Sequence, residues 1–267
     1  MPLSLEEALH CRAISGAIPY SGGTDLMTAE NPDASYLFLH KIPEMRRITD
    51  DGEYIRIGAS CTFTETVESP LCPAILREAI IRIAAPAIRN LGTIGGNIGN
   101  GSPKADSALI FYVTGAKLRL MSERGERVLP IKDFYTGRKK VALGSDELIV
   151  EVLTPKPAPD RYYYRKVGAR EALSISRISF AGSIDERDGR ITNCAVAIGA
   201  VSDVIIRRED IDGMLIGKTI VEAKALKADY LSAYDEAIMP IRGRVSEKYR
   251  KDVCMNLLKD FLDSMGI

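Results

Sequence analysis

The stretch RNLGTIGGNIGNGSPKAD, residues 89–106, decides how this chain is read. Gly92, Gly95, Gly96, Gly99 and Gly101 fall among Thr93, Asn97, Asn100 and Ser102, with almost no bulky side chain. Such a segment packs no core. It offers exposed backbone N–H groups, short hydroxyls and amides, and tolerance of positive φ, which together suit a concave anion cradle. A hydrophilic linker shares that composition, but Ile94, Ile98 and the apolar runs on either side favour a binding loop.

Upstream, Ser4 caps an expected helix carrying Leu5, Ala8 and Leu9 and ending near Gly16. AIPY then runs as a strand into a second glycine turn, Gly22-Gly23-Thr24-Asp25, which reads equally as an ordinary strand-to-helix turn with Thr24 or Asp25 capping a helix through Met27. SYLFLH predicts a buried strand, and MRRITDDGEYIRIGAS a hairpin turning at Asp51-Gly52. Thr62 or Thr64 opens a helix, and a second is expected from Pro73 to Ala84, broken by Pro86.

Downstream, SALIFYVTGA reads as a short buried helix, AKLRLMS and ERVLP as a hairpin, and DELIVEVLTP as a further strand. The prolines of PKPAPD mark a linker, dividing the chain into residues 1–157 and 158–267. Beyond it RYYYRKVG and ISRISFAGSIDERDGRITNCAVAIGAV predict a β-meander turning at Asp188-Gly189. Two helices close the chain, one from Thr219 with Val221, Ala225 and Leu226 on its face, one from Ser246 with Tyr249, Val253, Leu257 and Phe261. The class is α+β.

Composition excludes several functions. The 267 residues balance 36 basic against 36 acidic side chains, so no nucleic acid or anionic membrane surface is implied. No apolar run reaches the length of a membrane span and no signal-like run opens the chain, so a cytoplasmic protein is expected. The five cysteines form no CxxC and no metal cluster, and with only His10 and His40 present, metal binding and histidine-based catalysis are disfavoured. The glycines never satisfy G-x-G-x-x-G, and Gly213 stands one residue too close to Gly217-Lys218-Thr219 for a P-loop. Asp50-Asp51 and Asp185-Glu186 read as turn residues, and Arg207-Arg208 beside Glu209-Asp210 as a solvated face.

Four blocks in order, SGGTDL, IRNLGTIGGNIGNGSPKAD, RKVGARE and IMPIRGRVSEKYR, resemble the FAD-binding medium subunits of the molybdenum hydroxylases, the family of xanthine, carbon monoxide and nicotinate dehydrogenases. The resemblance implies a two-part FAD-binding domain of the PCMH type, then a smaller domain with a three-stranded antiparallel sheet and helices. It places Tyr20, Ser21, Gly22, Gly23, Thr24 and Asp25 in one cofactor loop and Thr93, Ile94, Gly95, Gly96 and Asn97 in the other. Backbone N–H groups of both loops would approach the pyrophosphate. Asn100 and Asp106 fall on the ribityl or adenosine side, Asp106 as acceptor for a ribose hydroxyl; Ile149 would cover the flavin ring, and Lys166 would approach its edge or stand on a strand surface.

Two departures stand out. Ile241-Arg242-Gly243-Arg244 lacks the Asp of the family's last block, with Gly243 in its place, and Ile83 replaces an aromatic residue beside the flavin. The resemblance further implies electron transfer through FAD to NAD⁺ or another acceptor. Molybdopterin and [2Fe-2S] clusters would reside only in partner chains, a molybdopterin-binding subunit and an iron–sulfur subunit. A self-contained flavin oxidoreductase and a non-catalytic assembly subunit are the alternatives.

Overall fold

The computed structural model describes residues 1–267 except 29, 30, 32 and 172. Helix α1 (Leu5–Ser15) begins where the Ser4 side chain accepts the Glu7 N–H and ends at Gly16, left-handed at φ 61°. Strand β1 (Ile18–Tyr20) pairs in parallel with β2 (Tyr36–Phe38). Among the described residues no α-helix follows the first glycine turn; a three-residue 3₁₀ turn, Leu26–Thr28, stands there. Strands β3 (Ile48–Asp50) and β4 (Tyr54–Gly58) form the expected hairpin, with Asp51 Oδ1 accepting the Glu53 and Tyr54 N–H groups.

Thr62, not Thr64, caps α2 (Phe63–Glu68), through a capping box with Glu65. Helix α3 (Ala74–Ile81) buries Ile75, Leu76, Ala79 and Ile80. Pro86 does more than interrupt it: as first residue of α4 (Pro86–Arg89) it starts a new turn, because proline's fixed φ suits that position. Helix α5 (Ile94–Gly99) is capped by Thr93, and every residue of α6 (Asp106–Val113) is buried. A helix apolar on all sides must be wrapped on all sides. The α6 helix is packed by α3, α5 and strands of the second half of the chain.

Strands β5 (Lys117–Ser122) and β6 (Gly125–Pro130) form a hairpin, followed by the two short strands β7 (Tyr135–Gly137) and β8 (Lys140–Val141). Strand β9 (Leu148–Pro155) is central in the antiparallel sheet β3-β4-β9-β5-β6, and its almost unbroken apolar run reflects burial on both faces.

The remainder is built on β10 (Tyr162–Val167), β11 (Ile178–Arg187) and β12 (Arg190–Gly199). A fourth, two-residue strand, β13 (Ile206–Arg207), extends the expected three-stranded sheet. After α7 (Glu209–Asp212), Thr219 caps α8 (Ile220–Ala225), which buries Ala223 and leaves Val221 79% exposed, reversing the expected face. Helix α9 (Lys227–Ala237) was not expected at all; its buried residues are two tyrosines, Tyr230 and Tyr234. Helix α10 (Glu247–Ser264), capped by Ser246, buries Cys254, Leu257, Leu258, Phe261 and Leu262, so its core face is rotated from the expected Tyr249 and Val253. Phe261 lies so close to β11 that a Cβ on Gly182 would stand 2.8 Å from its ring.

Arg207 is not part of a solvated face. It pairs with Asp212, which is buried and also accepts from the Tyr230 and Tyr234 hydroxyls at 2.7 Å each and from the Val196 N–H at 3.2 Å. Tyr234→Phe is therefore expected to cost about 2 kcal/mol, the value of a hydrogen bond to a buried charge. A urea midpoint lowered at unchanged slope would record it.

Candidate functional site

The two glycine turns meet. An ideal Cβ on Gly22 would stand 1.8 Å from the Leu91 carbonyl oxygen, so the first loop lies directly on the backbone leading into the second. At the far end, Asn100 donates to Asp25 across 2.5 Å and accepts from Lys139. Between these contacts is a cavity of about 510 Å³, within the range of small-molecule sites. Ser21, Gly22, Gly23, Thr24, Asp25, Thr93, Gly95, Gly96, Asn97, Asn100 and Ile149 all line it.

The two loops do different work. No N–H of Gly22, Gly23, Thr24 or Asp25 has a partner among the described residues, leaving four backbone donors on one wall. The second loop differs from expectation here, because its N–H groups are spent internally. Gly95 donates to the Ala59 carbonyl at 2.8 Å, Gly96 to the Thr93 hydroxyl at 3.1 Å, and Asn97 to the Thr93 carbonyl at 3.0 Å. An N-capped helix consumes those donors in its own first turn. What this loop presents is surface without bulk, together with the Thr93 and Asn97 side chains. A Cβ on Gly95 would meet that of Ala59 at 2.5 Å, so glycine there serves close packing against β4's exit.

Four predicted residues do not line the cavity. Tyr20 packs its ring on Phe38 and Tyr36, with centroids 4.8 and 5.7 Å away, and lies over Gly23, whose φ is +70°. Ile94 is fully buried beneath the second loop. Asp106 and Lys166 form a buried ion pair at 2.8 Å, with side chains 4% and 9% exposed. Ser176 donates to the other Asp106 oxygen at 2.7 Å, so each carboxylate oxygen already has a partner, and the group is buried away from the cavity lining where a ribose hydroxyl would approach. Lys166 also donates to the Arg82 carbonyl at 2.9 Å, tying β10 to α3 rather than standing on a strand surface. Tyr164 lies in the same interior with an unpartnered hydroxyl, and burial followed by the Asp106 charge pushes its pKa upward.

Sequence reading missed Ala59, Ser60, Leu143 and Lys139 as cavity residues. Lys139 holds positive φ at the tip of the β7–β8 hairpin, and the GRKK turn was its one available signal. The loop carrying Leu143 is fixed by Glu147, which pairs with Arg127 at 2.6 Å and accepts the Gly144 N–H at 2.6 Å. The Arg127 bond first, then the Gly144 bond, outweigh burial and hold the Glu147 carboxyl below its ordinary 4.5. Since the folded pKa is the lower one, this stabilisation is present above pH 4.5 and lost as pH falls through the depressed value. Glu147→Gln is expected to cost about 1 kcal/mol at pH 7 and progressively less as pH falls below 4.5, read from paired melting curves.

Comparison with known proteins bears on the same loops. The family described as "FAD binding domain in molybdopterin dehydrogenase" matches residues 1–157, and "CO dehydrogenase flavoprotein C-terminal domain" matches residues 162–265. This chain belongs to the FAD-binding medium subunits of the molybdenum hydroxylases. It is 36% identical over 253 residues to the xanthine dehydrogenase FAD-binding subunit of Escherichia coli O157:H7, covering 90% of this chain and 84% of that protein. The nicotinate dehydrogenase FAD-subunit of Eubacterium barkeri is 30% identical over 285 residues, covering 99% and 95%. Among solved structures, a chain of the carbon monoxide dehydrogenase of Hydrogenophaga pseudoflava superposes with a TM-score of 0.89 at 25% identity, covering 98% of this chain and 94% of its own. The family is that of oxidoreductase subunits. Among the described residues no helix is long and apolar enough to cross a membrane.

Proposed function

We propose that this medium subunit holds FAD in the cavity between its two glycine loops and passes electrons from an iron–sulfur subunit to NAD⁺ or another acceptor, in a complex whose molybdopterin-binding subunit hydroxylates the organic substrate. One observation carries the reading: Gly22, Gly23, Thr24 and Asp25, whose backbone N–H groups have no partner among the described residues, line one cavity together with Gly92, Gly95, Gly96 and Gly99. Such donors suit a pyrophosphate without needing formal positive charge. When bound, FAD would supply the redox chemistry. The chain's residues bind and orient: the first loop donates, the second keeps the wall free of side chains, and Ile149 offers an apolar surface.

The division into residues 1–157 and 158–267 belongs to the same reading, supported by the two family matches on either side of it. Partners are inferred from relatives, which include a carbon monoxide dehydrogenase medium chain and a nicotine 6-hydroxylase medium subunit. Purification of the complex with its neighbours, followed by flavin absorbance and molybdenum and iron analysis, tests the proposal. FAD, iron and molybdenum in stoichiometric amounts are expected, with reduction of the flavin on adding substrate. Reconstituted chain that takes up no FAD would refute it.

A further inference from the structure

Outside the cavity, four cations from four segments converge without an acid. Arg250, in the first turn of α10, is 4% exposed, and its Nη1 donates to the Ala200 carbonyl. The Ala200 N–H in turn donates to the Pro103 carbonyl at 2.7 Å, placing Lys104 beside it. The Lys139 N–H donates to the Gly101 carbonyl at 3.1 Å, which sets Arg138 of the β7–β8 hairpin against the same loop. Gly243, next to Arg244, lies so near that its ideal Cβ would stand 2.3 Å from Arg250 Nη2. Lys104 feels Arg250, Arg138 and Arg244, which together with burial, the largest cause, lower its pKa.

Among the described residues none of the four has a carboxylate within ion-pair distance, and Arg250 Nε is buried without a partner. A guanidinium buried with part of its donor set unmet is costly unless an anion completes it. Nε and Nη2 form the side edge of the guanidinium, the edge that grips an oxyanion with two parallel hydrogen bonds. Gly243, without a side chain, borders that edge and brings no carboxylate to it.

We infer that Lys104, Arg138, Arg244 and Arg250 form a binding site for a phosphate group, separate from the cofactor cavity. Four cations match a dianion better than a single carboxylate, and the lowered pKa of Lys104 would return toward normal on binding. The source is either free phosphate or the extra phosphate of a nucleotide.

The full chain, saturated with FAD so that the cavity itself is filled, is titrated with inorganic phosphate by calorimetry at constant ionic strength. Saturable one-to-one binding is expected. Arg244→Gln removes an exposed cation, and Gly243→Asp supplies a competing internal carboxylate; each is expected to weaken binding about tenfold or more. Melting temperature and flavin spectrum confirm that both variants fold. Absence of saturable binding, or unchanged affinity in both variants, overturns the inference. Competition with 2′-phosphorylated and unphosphorylated nicotinamide dinucleotides then assigns the source. Displacement only by the phosphorylated form supports a nucleotide phosphate, and displacement by neither supports free phosphate.

Discussion

Gly22→Ala is expected to release FAD from the purified protein. The added Cβ would stand 1.8 Å from the Leu91 carbonyl oxygen and 2.6 Å from its carbon, and neither atom can move cheaply. The adjoining Gly92 N–H is held by the Ile88 carbonyl at 2.7 Å, and the Gly92 carbonyl accepts from Phe63 at 2.9 Å. A single methyl therefore pries the donor loop away from the wall it faces. Loss of about 100-fold in FAD affinity, or roughly 3 kcal/mol, is expected from misplacing several donors at once. Gly137→Ala is the control, since Gly137 lies outside the cavity lining and its new Cβ would meet only Lys140 side-chain atoms at an ordinary 3.6 and 3.8 Å. Fluorescence titration of both variants decides the matter, and wild-type affinity in Gly22→Ala would show that the loops do not act as one site.

Asp106→Asn is expected to be the most destabilising isosteric change near the site. It removes the charge facing Lys166, whose side chain is 9% exposed, and leaves a buried ammonium with the neutral Arg82 carbonyl as its other hydrogen-bond partner. Breaking a buried pair from one side costs about 3–5 kcal/mol, most of it the uncompensated charge. The double variant with Lys166→Met should regain a large part of that loss, because no charge is then stranded. Denaturant midpoints of the four proteins complete the cycle. A loss in the double variant equal to the sum of the two single losses would mean that the pair is not coupled. Since Asp106 opens α6 and Lys166 lies on β10, the pair also joins the two halves of the chain, and a sharper loss of cooperativity on unfolding is expected in the single variant.

Elements with strong local signals were legible without coordinates. Ser4, Thr62, Thr219 and Ser246 each cap a helix as their side chains and positions require, and the Asp51-Gly52 hairpin follows from turn chemistry. Where several apolar residues compete for one helical face, the reading failed. In α8 the helix presents Ala223 rather than Val221 to the core, because the space left by the neighbouring helix and strand decides the face, not the side chain's size. The α9 helix escaped notice because its core contribution is Tyr230 and Tyr234, whose hydroxyls are there for Asp212, a residue eighteen or more positions away.

The opening glycine stretch shows the same division within the site. Its spacing, and its partnership with Ser21 to Asp25, stand in the chain itself, since a cradle without Cβ atoms can be written only with glycine and small polar residues. Tertiary structure alone decided which loop donates. Capping by Thr93 and docking on Ala59 consume the N–H groups of the second loop, while those of the first have no partner among the described residues. It also turned Asp106 and Lys166 from separate ligand candidates into one buried pair. Hydrogen bonds and ion pairs between residues distant in sequence depend on where the folded chain brings them, and only the packed whole determines that.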